Sequence, residues 1–384
     1  MIYLDHHATT PVDPAVVEAM LPWLTTHFGN PHSVSHAMGR HAAAACQQAI
    51  ESLATRLGTS ADLVLVTSGA TESNNLAIDG VLRHPRQRRR HIITFASEHP
   101  AVLDPVARLE REGYRVTVLP VRSQDHADCG QVDLELLEQS LCDDTALVSV
   151  MWANNEIGVI QPMTRIAEMV HKAGALLHCD ATQAVGRLPV SLEATGIDLL
   201  SASAHKFYGP KGVGLLAIGK LRRVRLRPIF EGGGQQHGLR SGTLNVAGLI
   251  GMAEALAVCE ASRDADNLRQ ATLRDRLWDR LQEAFAGVEL NGPESCRLPN
   301  NLNVAFVGVE GETLMAAAPE LAVSSGSACS SVDPRPSHVL TAIGLSESRA
   351  RRSIRFGLGR FTTAQEIDAA VELLVVAHEK LAIH

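Results

Sequence analysis

The chain has 384 residues, more than one compact core accommodates, and at 45% hydrophobic and 20% charged it has the make-up of a globular protein in water. A formal net charge of −7 gives no global pull toward nucleic acid or membrane surface, and no run reaches the ~18 uninterrupted apolar residues of a membrane helix. Seven scattered cysteines without a CxxC pair argue against a disulfide framework or zinc knuckle. From about residue 60, short runs rich in Val, Ile and Leu at 63–67, 91–95, 115–119, 146–151, 175–179, 199–202 and 213–218, mostly without polar alternation, read as strands buried on both faces. Between them, 72–82, 101–112, 134–141 and 164–173 read as helices, with Asp133 as an N-cap and Gly174 as a stop. Strand and helix in alternation predict an α/β fold with a mainly parallel sheet.

The pattern changes after about residue 255. A charged helix at 267–285, strands at 288–290, 302–307 and 353–358, and a closing helix from 363 to about 381 predict a smaller α+β domain. The expected partition is a large domain at 15–255 and a small one from 1–14 with 256–384. The chain opens without a basic start followed by an apolar stretch, and the scattered cysteines make a reducing cytoplasm the expected compartment.

Ligands of parallel α/β sheets sit beyond the carboxyl ends of the strands, and polar residues gather there. Gly69-Ala70-Thr71 follows one strand and opens a helix, whose free N–H groups suit a phosphate; as a common helix start it is weak evidence by itself. Asp180 ends a buried apolar strand, where a carboxylate needs a partner such as a protonated pyridine nitrogen, and Gln183 follows three residues on. Ser203-Ala204-His205-Lys206 ends the next strand and places a lysine where a Schiff base could form. Cys329 lies in the small-residue stretch 324–331, unlike the other cysteines, which lie mostly in apolar or helical runs.

These residues, in this order, resemble the NifS/IscS type of cysteine desulfurase, in the class-V branch of the fold-type-I pyridoxal-phosphate enzymes. The resemblance spans almost the whole chain. It is carried by 67–75 (TSGATESNN), 97–103 (SEHPAVL), 154–158 (NNEIG), 180–186 (DATQAVG), 203–214 (SAHKFYGPKGVG), 240–244 (RSGTL), 324–330 (SSGSACS) and 353–362 (SIRFGLGRFT). It implies pyridoxal 5'-phosphate bound covalently to Lys206, which also moves the substrate's Cα proton. Asp180 would keep the pyridine nitrogen protonated, Gln183 would bond the ring's phenolic oxygen, and His99 would stack on the ring and assist proton transfer. Ala70, Thr71, Ser203 and His205 would hold the phosphate, with Thr243 supplied by the other subunit of a homodimer. Asn155 would lie beside ring and substrate, and Arg355 would clamp the carboxylate of L-cysteine. Cys329 would take the sulfur as a persulfide, releasing L-alanine, for delivery to an acceptor protein in iron–sulfur assembly, thiolation or DNA phosphorothioation.

Departures from the family pattern are local. Gln236 and His237 stand where the family usually has Glu and Arg, and Pro334 and Pro336 stiffen the segment after Cys329. The chain ends at His384, short of the tail with which housekeeping members dock an iron–sulfur scaffold. Arg86, Arg88, Arg89 and Arg90 read as a solvated loop, and direct nucleic-acid contact is not expected. His32 and His36 lack a nearby carboxylate or cysteine, so no metal is expected, and His6-His7 reads as an ordered N-terminal segment. Selenocysteine lyase, another reaction on the same scaffold, and a non-catalytic partner-binding subunit are the rival readings; Cys329 argues against a transaminase, and the set of Lys206, Asp180, Arg355 and Cys329 against the subunit.

Overall fold

The structure is a computed structural model and describes residues 1–222, 224–325 and 336–382. Strand β1 (Ile2–Tyr3) is followed by helices α1 (Pro14–Thr25) and α2 (Ala37–Leu57), which precede the alternating pattern and were not among the predicted elements. Asp13 caps α1 through its carboxylate, with Pro14 in the first turn, and His36 caps α2 by accepting from Gly39 N–H at 3.1 Å. The His32–His36 stretch is thus a helix start, not only a pair of imidazoles.

The central sheet holds β2 (Val64–Thr67), β3 (His91–Phe95), β4 (Arg115–Leu119), β5 (Thr145–Met151), β6 (Leu176–Asp180), β7 (Leu199–Ser203) and β8 (Gly214–Ile218). Their order is β2-β8-β7-β6-β5-β3-β4. Only β8 runs against its neighbours, so the sheet is mainly parallel, as the apolar runs predict. Burial is complete along β2, β3, β5, β7 and β8, whereas edge strand β4 exposes Arg115 and Val118.

Helices α3 (Ala70–Leu82) and α4 (Pro100–Arg111) pack on one face with Leu76, Ile78, Val102 and Val106. The other face is covered by α1, α2, α6 (Met163–Lys172) and the first half of α8 (Val246–Ala284), while α5 (Leu134–Ser140) and α7 (Leu192–Thr195) complete the crossovers. Helix α8 starts about twenty residues before the predicted one. Its first half buries Ala247, Leu249, Met252, Ala255, Leu256 and Cys259, and without a charged stripe it showed no amphipathic period.

A second core forms where the later half of α8 contributes Leu273, Leu277 and Leu281. Against it lie β9 (Glu289–Leu290), β10 (Asn301–Ala305) and β12 (Ser353–Gly357), in the order β12-β10-β9, with β11 (Leu321–Ala322) paired to β1. Helices α9 (Gly311–Ala317) and α12 (Ala364–Ala382) complete the unit, whereas α10 (His338–Ala342) and α11 (Glu347–Arg351) bury Val339, Leu340 and Ala350 in the core of the large sheet. Leu4 is buried in this second core, while Thr10 bonds to His205 and Tyr208 beside the large sheet. The N-terminal segment therefore passes from one core to the other.

The basic run is partly structural. Arg89 donates to the carbonyls of Thr145 (3.0 Å) and Ala173 (3.2 Å), tying β5 to the end of α6, and the Arg90 guanidinium lies 4.1 Å over the Tyr114 ring. No helix among the described residues is long and apolar enough to cross a membrane.

Candidate active site

A cavity of about 630 Å3 opens at the carboxyl ends of β2, β6 and β7. Ala70, Thr71, His99, Asn155, Asp180, Gln183, Ser203, His205, Lys206 and Arg355 all line it. Thr243 is exposed and does not line it. Cys329 and Pro334 lie outside the described residues.

Each side chain is held by a describable local cause. Gly69 precedes α3 and packs against Gly214, where a Cβ would meet Gly69 Cα at 2.6 Å, so the two backbones approach as only glycine allows. No side chain caps α3, which leaves the first N–H groups of the helix, those of Ala70 and Thr71, facing the cavity without an intrahelical acceptor. Asp180 ends β6 with both oxygens engaged: Oδ2 accepts from Asn74 Nδ2 at 2.8 Å and Oδ1 from Thr182 N–H at 3.0 Å. The carboxylate plane is thereby fixed.

His99 caps α4, its Nδ1 accepting from Ala101 N–H at 3.0 Å. An accepting Nδ1 places the proton of the neutral ring on Nε2, and burial lowers the imidazole's pKa, keeping it neutral. His205 bonds Thr9 Oγ1 at 3.0 Å, and burial, then Lys206 and Lys211, bring its pKa down to about 4. Lys206 Nζ donates to the carbonyls of His7 and Ala8, both at 2.7 Å. Two residues on, Tyr208 adopts a positive φ of 66°, held by Thr10 Oγ1 on its N–H and by Arg360 N–H on its hydroxyl.

Arg355, only 2% exposed, pairs through Nη2 with Asp5 Oδ1 at 2.7 Å and donates through Nη1 to the Asn155 carbonyl at 3.2 Å. Its Nε is buried without a partner among the described residues, a costly arrangement that an incoming carboxylate would relieve.

Several contributors were missed by the sequence reading. The N-terminal segment supplies Asp5 to Arg355, His7 to Gln183, Ala8 to Lys206 and Thr9 to His205. Asp5-His6-His7 is a polar cluster in a stretch without helix or strand period, and that was its only signal. Glu98 is fully buried, its Oε1 accepting from Met151 N–H at 2.7 Å, and burial raises its pKa well above the usual carboxyl range. Glu72 receives Ser68 N–H and Arg240, bracing the turn before α3. Gln236, one of the departures from the family pattern, bonds both backbone groups of Val66 on edge strand β2, at 2.6 and 2.9 Å. A glutamate there would have no donor for the Val66 carbonyl.

The described flanks of the Cys329 segment both attach beside the cavity. Ser324 exchanges two backbone hydrogen bonds with Arg355. On the other side, Ser337 Oγ donates to Glu156, the neighbour of Asn155, and His338 Nε2 bonds the carbonyl of Glu98, the neighbour of His99, at 2.8 Å.

The model of the family described as aminotransferase class-V matches residues 2–370. Cysteine desulfurase IscS of Anaeromyxobacter dehalogenans (strain 2CP-C) is 49% identical over 373 residues, 97% of this chain and 91% of that protein. Among solved structures, a NifS-like protein superposes with a TM-score of 0.90 at 37% identity, covering 100% of both chains. The structure of SspA in complex with cysteine superposes at 0.81 with 33% identity, covering 94% of this chain and 100% of that one.

Proposed function

The chain belongs to the aminotransferase class-V family, and we propose that within it this protein is a cysteine desulfurase that binds pyridoxal 5'-phosphate at Lys206 and takes sulfur onto Cys329. The observation that carries the reading is the meeting in one cavity of a lysine amine, a fixed carboxylate, an uncapped helix start and a buried arginine. This donor set fits the cofactor. Ala70, Thr71, Ser203 and His205 would hold its phosphate, Asp180 its ring nitrogen, Gln183 its ring oxygen and His99 its face. When bound, the cofactor supplies an electron sink that loosens the bonds around the substrate's Cα.

The chain's own residues then divide the work. Arg355 receives the carboxylate of L-cysteine on its free N–H groups, beside Asn155. Lys206 serves as the base that takes the Cα proton, and neutral His99, with its proton on Nε2, assists transfer on the cavity side. The Cys329 thiolate attacks the substrate sulfur: an S–S bond forms as the Cβ–S bond breaks, Cβ gains a proton, and the products are L-alanine and a Cys329 persulfide. Cys329 stands four positions past Ser325, a reach of at most about 14 Å, and the attachment of both flanks beside the cavity supports this role. A protein thiol acceptor collects the persulfide sulfur, which requires a reducing compartment, the cytoplasm.

Val17, Leu21 and Leu24 are exposed at helical spacing on α1, with Phe28 beyond it, an apolar stripe that supports a homodimer. The exposed Thr243 would then reach the partner's phosphate site.

The test is to give L-cysteine and a reducing thiol to the cofactor-loaded protein and to Cys329→Ala, and to quantify alanine and sulfide together. Equal amounts from the wild type and neither from the variant are expected. A protein that holds the cofactor yet makes no alanine would overturn the reading, and products surviving the substitution would remove Cys329 from it.

A further inference from the structure

We propose that His7 is the positioning residue that fixes the plane of the Gln183 amide and so aims its remaining N–H into the cavity. The inference rests on the proposed cofactor site, since Gln183 is the residue placed to meet the ring oxygen. Gln183 Nε2 donates to the backbone carbonyl of His7 at 3.0 Å, and Gln183 Oε1 meets His7 Nδ1 at 3.1 Å. A carbonyl oxygen only accepts, so the nitrogen end of the amide faces it and the oxygen end faces the imidazole. The hydrogen on the second contact must therefore come from Nδ1.

The carbonyl contact alone would let the amide pivot about Nε2. The side-chain contact supplies the second point and removes that freedom. One amide proton of Nε2 is spent on the His7 carbonyl, and the other is left for the cavity that Gln183 lines. His7 is 1% exposed, and the charges that act on it most strongly are those of Arg187, Arg355 and Lys206, all cations. Burial, then these cations, hold the ring neutral, so a proton on Nδ1 leaves Nε2 bare. Nε2 indeed has no partner among the described residues. The same His7 carbonyl receives Lys206 Nζ, so this one residue orients both the attachment point and the amide that serves the ring.

The experiment follows the absorption of the bound cofactor with pH, which reports the proton on the nitrogen joining it to Lys206. A donor aimed at the ring oxygen stabilises its anion and lowers that pKa. His7→Leu should raise it by about one unit, tenfold in the proton equilibrium, as loss of one hydrogen bond to a charged group implies. His7→Asn, whose Nδ2 stands where Nδ1 did, should titrate with the wild type. Gln183→Ala should shift as His7→Leu does, and the double variant should shift no further, because both act through one contact. A His7→Leu titration matching the wild type, or shifts that add in the double variant, would overturn the proposal. Nitrogen-15 NMR of the histidine-labelled wild type, with His7 assigned from His7→Asn, tests it without a disruptive variant: the expected tautomer carries its proton on Nδ1, and a proton on Nε2 refutes it. A wild type that binds cofactor with no visible band overturns the Lys206 reading itself, an outcome distinct from a band that His7 does not move.

Discussion

Asp5→Asn tests the ion pair that joins the N-terminal segment to the site. The substitution keeps the shape and one acceptor but removes the charge facing a guanidinium that is 2% exposed. Breaking a fully buried pair costs about 3–5 kcal/mol, and the surviving neutral acceptor and the 17% exposure of Asp5 bring the expected loss to about 2 kcal/mol. For a chain of this length the unfolding entropy is roughly 0.8 kcal/mol per degree, so the melting midpoint should fall by about 2–3 °C. Asp5 also sets the plane in which Arg355 presents its Nε, so KM for L-cysteine should rise about tenfold with kcat little changed. Circular dichroism melts and steady-state alanine production measure the two effects. An unmoved midpoint would show that Asp5 does not hold the buried cation. A KM that falls would show that Asp5 competes with the substrate instead of orienting its ligand, and would refute the reasoning.

Three further outcomes follow from the contacts. His7, His178 and His205 are neutral in the fold, with pKa values lowered by burial, to about 4 for His178 and His205, so the unfolded chain binds more protons below pH 6.5. Their contribution should be full above about pH 6.5 and decline as pH falls toward 4, partly offset by buried Glu98, whose raised pKa works the other way; a melting midpoint higher at pH 5 than at pH 7 would contradict this. Gln236→Ala removes both bonds to Val66 and should lower the midpoint by about 1–3 °C, since it strips an edge strand of its cover, and an unchanged melt would refute that role. Arg89→Ala, which loses two carbonyl contacts, should lower the midpoint, whereas Arg88→Ala should not, and a pair of equal melts would show that Arg89 is as solvated as its neighbour.

The strands and the residues at their ends were legible in the sequence because a parallel sheet covered on both faces imposes two local rules. Its strands must be mainly apolar, as in Val64–Thr67 and Gly214–Ile218, and its polar chemistry must wait for the strand ends, as at Asp180 and Lys206. The first half of α8 broke the helical rule because its half-buried face is largely apolar too, through Val246, Ile250, Ala257 and Val258, and α1 and α2 precede the alternating region from which the elements were read. For the site residues, the order of motifs, and not any one of them, carried the reading.

What the chain by itself determined is which polar residues stand at the ends of the sheet strands, since composition at strand ends is a one-dimensional property. What the tertiary structure decided is how they are held. Asp5, His7, Ala8 and Thr9 lie 176 to 350 positions from Arg355, Gln183, Lys206 and His205, and nothing in local propensity or spacing encodes those pairings. Hydrogen bonds act over about 3 Å of space regardless of distance along the chain, so only folding, which threads the N-terminal segment from the small core to the large sheet, brings donor and acceptor together.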